Sequence, residues 1–403
     1  MRDRWRWVVL PFCALALSMG VRSGFGVYVL PWEAEYSSSR ARIASVSSLS
    51  LLVYGIGNVV AGPASERFGV GRVMAVSLGL VAVGLVGTTA ARALGGLYLF
   101  YGVLASAGFS GASHVTASVA VRHLVPEGRR SFALSAVVAG MSAGQLLVVP
   151  AQVLAVARWG WRPVFWFLAA LAASLAATTG WAMRSNGQGA AGGAGQRTAG
   201  RTGARALLRD PRFWVFLAPY AVCGFTDSGL VDNHFVPYAR GIGVSEAALA
   251  AALSALAVAN LLGTVVTGYS ADCWGQGAVL AVLYGVRAAA LAVLVLGGTG
   301  SVWFFAPLFG VTHFATIAPT NTLALSLFQS SAPGLAVGLA SLVHQLGAAA
   351  GAFAGGALYD RFRTYRPVFG LGVTLLAASA GVAGWLQRAA KLAVRDRRAA
   401  DRT

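Results

Sequence analysis

The chain has 403 residues, of which 57% are hydrophobic and 11% are charged. Because a soluble domain carries about 25% charged residues, this composition excludes an ordinary water-soluble protein. The apolar residues supply about eleven or twelve membrane-spanning helices of about 20 residues each, so most of the chain is predicted to lie in a membrane.

The N-terminus resembles a secretory signal because Arg2, Arg4 and Arg6 precede an apolar run. The run has no clear cleavage site followed by a soluble domain, so we interpret it as an uncleaved first helix. It is the first of twelve apolar segments, which cover residues 7–31, 44–65, 72–91, 95–121, 131–157, 163–183, 213–239, 247–270, 277–297, 301–328, 334–358 and 367–387.

A stretch at residues 185–204, rich in Gly and Ala, separates six segments from the other six. Its composition cannot bury a core and predicts a flexible linker. A short amphipathic segment at 206–212 then leads along the membrane surface into the seventh helix. The chain is therefore predicted to consist of an N-terminal half at 1–184, a cytoplasmic linker at 185–212, a C-terminal half at 213–390 and a basic tail at 391–403.

Positive charges are concentrated in alternate loops. With the N-terminus inside, the inner loops and the two termini hold 20 of the 31 Lys and Arg residues, and the outer loops hold 9. This bias predicts an integral protein of the cytoplasmic (cell inner) membrane with both termini cytoplasmic. The net charge of +18 is then explained by anionic lipid headgroups, and no basic soluble module is left to bind nucleic acid.

The two halves repeat one another in sequence. A gap-free shift of 206 residues aligns Pro31 with Pro237, Gly57 with Gly263, Gly62 with Gly268, Glu66 with Asp272, Phe68 with Trp274 and Gly69 with Gly275. Two homologous six-helix halves, with a substrate site between them near the midplane, are the architecture of a secondary transporter.

The loop between segments 2 and 3 carries a recognisable motif. Residues 62–69 read Gly-Pro-Ala-Ser-Glu-Arg-Phe-Gly and resemble the G-x-x-x-D-R-x-G motif of the major facilitator superfamily, with Glu66 in place of Asp. The resemblance covers nearly the whole chain and implies an all-α membrane protein with twelve transmembrane helices in two pseudo-symmetric halves. It also implies that Glu66, beside Arg67, closes the cytoplasmic side against a helix N-terminus of the other half. A solvated turn is the alternative.

Two further stretches are similar to the monocarboxylate-porter group of that superfamily. They are Asp3-Arg4-Trp5-Arg6-Trp7 before segment 1 and Arg129-Arg130-Ser131-Phe132-Ala133 at the start of segment 5. One departure concerns segment 8, where carboxylate-carrying relatives typically have an arginine and this chain has Asn260 and Thr264. The resemblance therefore implies a monocarboxylate-like substrate but without its usual counter-ion.

Charged residues at bilayer depth are rare and mark functional candidates. Arg22 lies near the middle of segment 1, and the 206-residue shift pairs it with Ser228, beside Asp227. We expect Arg22 to bind an anionic substrate group, with Asp227 as its counter-ion or as a protonatable coupling group. A permanent interhelical ion pair is the alternative.

Other titratable residues are candidates for the pathway. Asp232 and His234 are predicted to line a vestibule at the outer end of segment 7, with a hydrated helix end as the alternative for His234. His344 lies near a position where some relatives carry a basic substrate ligand, and it can change charge near neutral pH. Asp227, Asp232 and His344 are the candidates for proton coupling.

Polar residues inside segments 2, 4, 8 and 10 are predicted to line the cavity. Tyr54 and Asn58 lie one turn apart, as do Asn260 and Thr264, so each pair shares a helix face. Interhelical packing is the alternative for all four. His313 is a better cavity candidate than His114. Arg287, in a helix expected at the periphery, is assigned a structural or headgroup role.

The sequence contains no ATP-binding loop, no paired Cys or His at metal-ligand spacing and no nucleophile with a base. Cys13, Cys223 and Cys273 are interpreted as packing residues. We therefore predict no enzyme activity, no cofactor and no metal. The predicted function is alternating-access transport, by a monomer, of a small organic anion such as a carboxylate. Proton coupling is one alternative for its energy source, and uniport and exchange are the others. A drug or metabolite exporter of the same fold is the alternative, favoured if Asp227 is unpaired in an apolar cavity.

Overall fold

A computed structural model of the protein describes residues 6–124, 130–183, 201–328 and 333–400, and in these ranges all regular secondary structure is helical. Eleven of these helices are long and apolar enough to span a membrane, and a bent pair supplies a twelfth span. The predicted all-α class with twelve spans is confirmed. Most of the predicted linker, the motif residues Asp3, Arg4 and Trp5, and Arg129 lie outside the described residues.

The spans are numbered in chain order. They are α1 (Arg6–Ser23 and Phe25–Tyr36), α2 (Arg40–Phe68), α3 (Val70–Ala90), α4 (Leu94–Val121), α5 (Ala133–Trp159), α6 (Trp161–Ala182), α7 (Pro211–Gly241), α8 (Glu246–Trp274), α9 (Gln276–Leu296), α10 (Ser301–Leu327), α11 (Pro333–Phe362) and α12 (Arg366–Ala400). A short helix, Arg201–Arg209, precedes α7. It is strongly amphipathic and overlaps the predicted segment 206–212 at residues 206–209, and its place on the membrane surface stays a prediction.

The internal repeat is visible in the helix bounds. Helices α2 and α8 begin and end with the same 206-residue offset, and so do α3 and α9. Ser39 and Ser245 cap the N-termini of α2 and α8 through their side chains. The following turns need a positive φ, which glycine adopts without strain, and Gly69 and Gly275 have φ values of 89° and 91°. The repeat predicted from the sequence therefore has a structural counterpart.

Four spans are interrupted near the middle. Helix α1 bends by 45° at Gly24, α4 is broken at residues 112–113, α7 has a π-helical stretch at Phe225–Val231, and α10 is broken at residues 313–316. Helix α5 also has a π-helical stretch, Gly144–Val148. Interruptions free backbone groups and redirect side chains, and in membrane transporters they occur where the chain lines a site.

The two halves pack together on one side of the membrane. We call it the far side, since it carries loops 37–39, 242–245 and 363–365, whereas the linker side carries the connection between α6 and α7. Helix α1 packs against α7, α2 against α11 and α5 against α8. A Cβ atom at Gly356 would lie 2.7 Å from the Ala41 Cα, so α11 and α2 are in backbone contact there.

The linker-side parts of α2 and α8 are less covered than their far-side parts. Buried residues are frequent along α2 from Arg40 to Gly55, whereas Val59 and Val60 further along are 61% exposed. Helix α8 has the same pattern, with Val265 and Val266 at 69% and 61% exposure. The structure therefore represents a conformation that is closed on the far side.

Candidate functional site

Arg22 lies two residues before the bend of α1, where the substrate site was predicted. Its Cζ lies 4.1 Å from the centre of the Tyr54 ring, and its Nη2 is 3.2 Å from the Met19 Sδ. Its Nη1 is buried and, among the described residues, has no hydrogen-bond partner. Because a buried donor without an acceptor is costly, this guanidinium is prepared to accept an anionic ligand.

A narrow cavity lies beside Arg22 in the N-terminal half. The residues that line it come from α1, α2, α4 and α5: Leu15, Ser18, Met19, Arg22, Tyr54, Phe109, Ala112, Ser113, His114 and Met141. The cavity therefore combines one cation, a few hydroxyl and imidazole groups, and apolar walls. This is the composition of a site that binds a small molecule with one charged group.

The predicted pairing of Arg22 with Asp227 is wrong. Asp227 Oδ1 lies 2.8 Å from His313 Nδ1, and Asp227 Oδ2 lies 3.9 Å from Arg287 Nη1. The physical reason is the direction of the side chain, because one residue along a helix is a rotation of about 100°. Alignment of Arg22 with Ser228 therefore leaves the neighbouring Asp227 directed into its own half.

The assignment of Arg287 to a structural or headgroup role is wrong in its second part. The side chain is fully buried and its donors are used. Nε donates to Thr312 Oγ1 at 3.1 Å, Nη1 to Cys223 Sγ at 3.0 Å, and Nη2 to the carbonyls of Thr312 and His313. Arg287 thus satisfies the carbonyl groups that the break in α10 releases, and Cys223 is a polar partner as well as a packing residue.

A chain of polar side chains crosses from one half to the other at this depth. Gln145 lies in the π-helical stretch of α5. The distance from its Nε2 to His313 Nε2 is 2.8 Å, and its Oε1 accepts a hydrogen bond from Asn260 Nδ2 at 3.1 Å. Nearby, Ser23 donates to the Asp232 carboxylate at 3.2 Å. The structure therefore brings the predicted residues Asn260, His313 and Asp232 together, through a glutamine that the sequence reasoning missed.

A second cavity lies between the halves, directly beyond Gln145. Its polar lining consists of Ser23, Gln145 and Asp232, and the remaining lining residues are apolar: Val149, Val231, Phe235, Val236, Leu253 and Leu256. Asp232 is thus next to a space between the two halves rather than at a hydrated outer vestibule. The prediction that it lines such a vestibule is wrong in this conformation.

His344 and the remaining polar candidates occupy different surroundings. The His344 ring packs on Tyr220, with ring centres 4.8 Å apart, close to Cys223 and Asp227. Asn58 accepts from Ser113 Oγ at 2.8 Å, which favours packing for this residue. Thr264 is exposed and donates to the carbonyl of Asn260 in its own helix. Of the four predicted wall residues, Tyr54 lines the cavity beside Arg22 and Asn260 belongs to the polar chain between the halves.

His234 is fully buried, so both the vestibule and the hydrated helix end predicted for it are wrong in this structure. Its Nε2 lies 2.8 Å from the Ala352 carbonyl oxygen, and its Nδ1 lies 3.3 Å from the Tyr365 hydroxyl. These contacts join α7 to α11. The residue is not hydrated because other helices cover the helix ends on the far side. It is a gate residue only in the sense that it helps to seal that side.

A polar lock that the sequence reasoning missed closes the far side. Arg40 donates to both carboxylate oxygens of Glu33 at 2.7 Å and to the Tyr365 hydroxyl at 2.9 Å. Asp360, at the end of α11, accepts from the backbone N–H groups of Arg40 and Ala41 at 3.1 and 2.9 Å. A carboxylate of one half thus caps a helix N-terminus of the other. Burial raises the pKa of Tyr365, which keeps its hydroxyl protonated at neutral pH.

Glu66 and Arg67 lie in the last turn of α2 on the linker side, and both are exposed. The Arg67 Cζ lies 5.2 Å from the centre of the Phe68 ring. Because the halves are packed together on the far side, the predicted lock at Glu66 belongs to the opposite conformation and stays a prediction.

Two groups of side chains have ligand atoms within 4.8 Å of one another, as a metal site requires. They are Cys223, Asp227 and His344, and Asp227, Asp232 and His313. The Arg287 guanidinium lies 3.0 Å from the Cys223 sulfur and 3.9 Å from Asp227, so a metal ion would share the site with a fixed positive charge. The arrangement suits protons and anions better than metal cations.

The family profile of the Major Facilitator Superfamily matches residues 11–352. The chain is 24% identical over 387 residues to the uncharacterized MFS-type transporter YcxA of Bacillus subtilis (strain 168), with 94% of each protein covered. It is 25% identical over 385 residues to monocarboxylate transporter 13 of Bos taurus, with 94% of this chain and 88% of that protein covered.

Solved structures show the same fold. A bacterial homologue of the human lysosomal transporter Spinster, in an inward-facing and unoccupied conformation, matches with a TM-score of 0.77 and 16% identity, covering 96% of this chain and 97% of that one. A D-xylose–proton symporter matches with a TM-score of 0.71 and 15% identity, covering 93% and 96%. At these identities the likeness establishes the fold and leaves the substrate open.

Proposed function

The chain belongs to the major facilitator superfamily, and on that premise we propose that it carries a small organic anion, a carboxylate, across the membrane by alternating access and with proton coupling. The superfamily consists of transporters, so the protein is an integral membrane transporter and not an enzyme. One observation carries the choice of an anion: Arg22 is a cation with a buried, unpartnered N–H group in a cavity.

The charge of the site supports this choice. Asp227 is balanced by Arg287, so within the described residues Arg22 is the intramembrane cation that no carboxylate contacts at ion-pair distance. Asp232 is within electrostatic range of Arg22. Its carboxylate accepts a hydrogen bond from Ser23 and forms no ion pair with Arg22. A carboxylate substrate would give Arg22 a charge-assisted hydrogen bond that is short and strong.

The relatives are consistent with this substrate class, since one of them is named as a monocarboxylate transporter. The usual arginine of α8 is absent, and Asn260 does not replace it as a free ligand: its amide donates to Gln145 and its carbonyl oxygen accepts from the Phe314 N–H. We infer that the substrate charge is held from the N-terminal half, by Arg22, rather than from α8.

The alternative exporter function is favoured by the missing arginine of α8. It lacks the further support of an unpaired Asp227, because Asp227 contacts His313 and Arg287. For orientation, we propose that the linker side is cytoplasmic, since 20 of the 31 Lys and Arg residues lie on that side. The conformation described above then faces inward, in a cytoplasmic membrane, with both termini inside.

The test combines ligand binding with transport. Purified protein is screened for thermal stabilisation by small monocarboxylates, amphipathic cations and neutral metabolites, and the best ligands are then tested for uptake into proteoliposomes. We expect stabilisation by carboxylates, and an Arg22→Gln variant with about 10- to 100-fold weaker apparent affinity, because a hydrogen bond to a charged group is lost.

The matched control is Arg42→Gln, which removes an exposed arginine from the far side of α2. It should transport like the parent protein. Stabilisation by amphipathic cations alone would reject the anion proposal. So would an Arg22→Gln variant with the affinity and rate of the parent protein.

A further inference from the structure

The polar chain that joins the halves has one member whose orientation is fixed by the backbone. The N–H group of Phe314 points to Asn260 at 3.0 Å. A backbone N–H can only donate, so the atom that faces it is the Asn260 carbonyl oxygen. The amide nitrogen of Asn260 then faces Gln145 at 3.1 Å and must meet its carbonyl oxygen.

The orientation of Gln145 determines the protonation state of His313. With its oxygen facing Asn260, Gln145 presents its amide nitrogen to His313 Nε2 at 2.8 Å. An amide nitrogen is a donor only, so Nε2 must accept. The imidazole is then neutral and carries its proton on Nδ1, which lies 2.8 Å from Asp227 Oδ1. In this conformation His313 therefore carries one proton, on the nitrogen that faces Asp227, although the two atoms lack the alignment of a hydrogen bond.

A second proton is incompatible with this arrangement. If Nε2 also carried a proton, it would face the amide nitrogen of Gln145, and two donors would meet. Rotation of the Gln145 amide by 180° would relieve that clash but would set its nitrogen against the amide nitrogen of Asn260, which the Phe314 N–H holds in place. Protonation of His313 at Nε2 must therefore break its hydrogen bond with Gln145, which joins α5 to the C-terminal half.

We propose that the pair His313–Asp227 binds the transported proton and that Gln145 transmits its presence from the C-terminal half to the N-terminal half. This inference rests on the proposed function and names its coupling site. Gln145 acts as a positioning residue, because it touches neither substrate nor any reacting bond but sets which conformation tolerates the proton.

The charged groups that face His313 agree with this role. Asp227 and Asp232 approach from α7, Arg287 from α9 and His344 from α11. Arg22 of α1 acts on Asp232 and His344, and Asn260 of α8 and Gln145 of α5 are neutral. The two carboxylates, Asp227 and Asp232, balance the two guanidinium groups, Arg287 and Arg22. The net charge of the cluster is therefore zero when His313 is neutral. A bound carboxylate adds one negative charge, which a proton on His313 neutralises.

This balance sets the direction of coupling. The conformation closed on the far side holds the pair with one proton, so it is the state after proton release. The protonated pair favours the conformation that is open on the far side, where Gln145 is freed from His313. A carboxylate and a proton therefore enter together from the far side and leave together on the linker side.

The experiment measures conformation and needs no substrate. Spin labels are placed at Arg42→Cys in α2 and Ala247→Cys in α8, both exposed on the far side in opposite halves. Cys13 and Cys273 are replaced by serine, and the buried Cys223 is kept. Distances are recorded in lipid nanodiscs between about pH 5.5 and about pH 8, the range in which histidine titrates.

In the labelled parent protein, acidification should raise the ratio of the long-distance to the short-distance population by about tenfold, because one proton is bound in the conformation that is open on the far side and released in the other. In Gln145→Leu and in His313→Gln this pH dependence should be lost. In His344→Gln it should persist, which separates His313 from the second histidine of the cluster.

The matched control is Gln152→Leu. Gln152 is a buried glutamine of the same helix, but its nitrogen donates to the carbonyls of Gly20 and Val148 and its oxygen accepts from Tyr28, all in the N-terminal half. Its loss should leave the pH dependence intact, whatever it does to stability.

Distances that do not depend on pH in the parent protein would overturn the proposal. A pH dependence that survives in Gln145→Leu or His313→Gln, or that disappears in Gln152→Leu or His344→Gln, would also overturn it. Failure of the proposed function looks different, because a protein that transports no carboxylate can still show the pH-dependent distances and their loss in Gln145→Leu.

Discussion

Two arginines at bilayer depth, Arg22 and Arg287, have opposite surroundings. Arg287 is fully buried and donates hydrogen bonds to Thr312, to the carbonyl of His313 and to Cys223, while Asp227 lies 3.9 Å away. Arg22 is partly buried, rests on an aromatic ring and a thioether, and keeps a buried N–H without a partner.

The difference indicates how the work is divided between the halves. A cation whose donors are all used stabilises the fold and cannot gain much from a ligand, whereas a cation with an unused donor gains a strong bond when an anion arrives. On the proposed function, the C-terminal half holds its charge for structure and proton binding. The N-terminal half keeps its charge for the substrate.

The largest expected effect is on stability, and it follows from removing Arg287. In Arg287→Met the carboxylate of Asp227 stays buried without its cation, and the carbonyls of Thr312 and His313 lose their donor. We expect about 3–5 kcal/mol of destabilisation, as for a broken buried ion pair. Thermal unfolding in detergent measures it.

The same substitution at the other arginine is the comparison. Arg22→Met should unfold within about 1 kcal/mol of the parent protein, because it breaks no ion pair with a carboxylate. Equal losses of stability in the two variants would contradict the division between a structural and a ligand-binding arginine.

A second prediction concerns the ring that holds Arg22. Tyr54 is buried, and its face lies 4.1 Å from the guanidinium carbon. In Tyr54→Leu the cation–π contact, worth about 0.5–2 kcal/mol, is lost and Arg22 gains rotational freedom. We expect an apparent affinity for the anion about 3- to 30-fold weaker, measured as KM in proteoliposomes. Tyr54→Phe keeps the ring and should behave as the parent protein, whereas equal KM values in Tyr54→Leu and the parent protein would exclude the ring from substrate binding.

Much of this arrangement follows from the sequence. The helix bounds of α2 and α8 follow from a shift that the glycines and prolines reveal, and Arg22 stands out because an arginine in an apolar run is rare. Charged residues and glycine turns can be recognised in the sequence because each interrupts the pattern of apolar residues.

Other features leave no such signal. Gln145 is neutral and lies within an apolar segment, so its role depends on meeting His313 and Asn260 from other helices. Arg287 was placed at the periphery because helix order says nothing about which way one side chain points. Asp360 has the position of an ordinary loop residue until α11 and α2 are packed together. These are properties of tertiary contact, which helix periodicity within one half cannot supply.

A third prediction refines the account of Arg287 by removing one acceptor. Thr312 Oγ1 accepts a hydrogen bond from Arg287 Nε at 3.1 Å. Two backbone carbonyls accept from the same guanidinium and remain when the hydroxyl is removed. Thr312→Val should therefore cost only about 1 kcal/mol of stability, the net contribution of one hydrogen bond. Thermal unfolding again measures it, and a loss as large as that of Arg287→Met would show that a single acceptor, rather than the whole set, fixes the arginine.

The smallest expected effect has the opposite sign. Arg22→Met removes a buried N–H that has no acceptor and places an apolar side chain against Tyr54 and Met19, so the free energy of unfolding should rise by up to about 1 kcal/mol while transport is lost. A gain of stability at the expense of function is the pattern of a residue that is kept for its ligand. Measurement of the parent protein with saturating carboxylate supplies the second half of the test, because the ligand should stabilise the parent protein and leave Arg22→Met unchanged. If Arg22→Met loses as much stability as Arg287→Met, Arg22 is a structural cation like Arg287, and the two halves do not divide their charges as we infer.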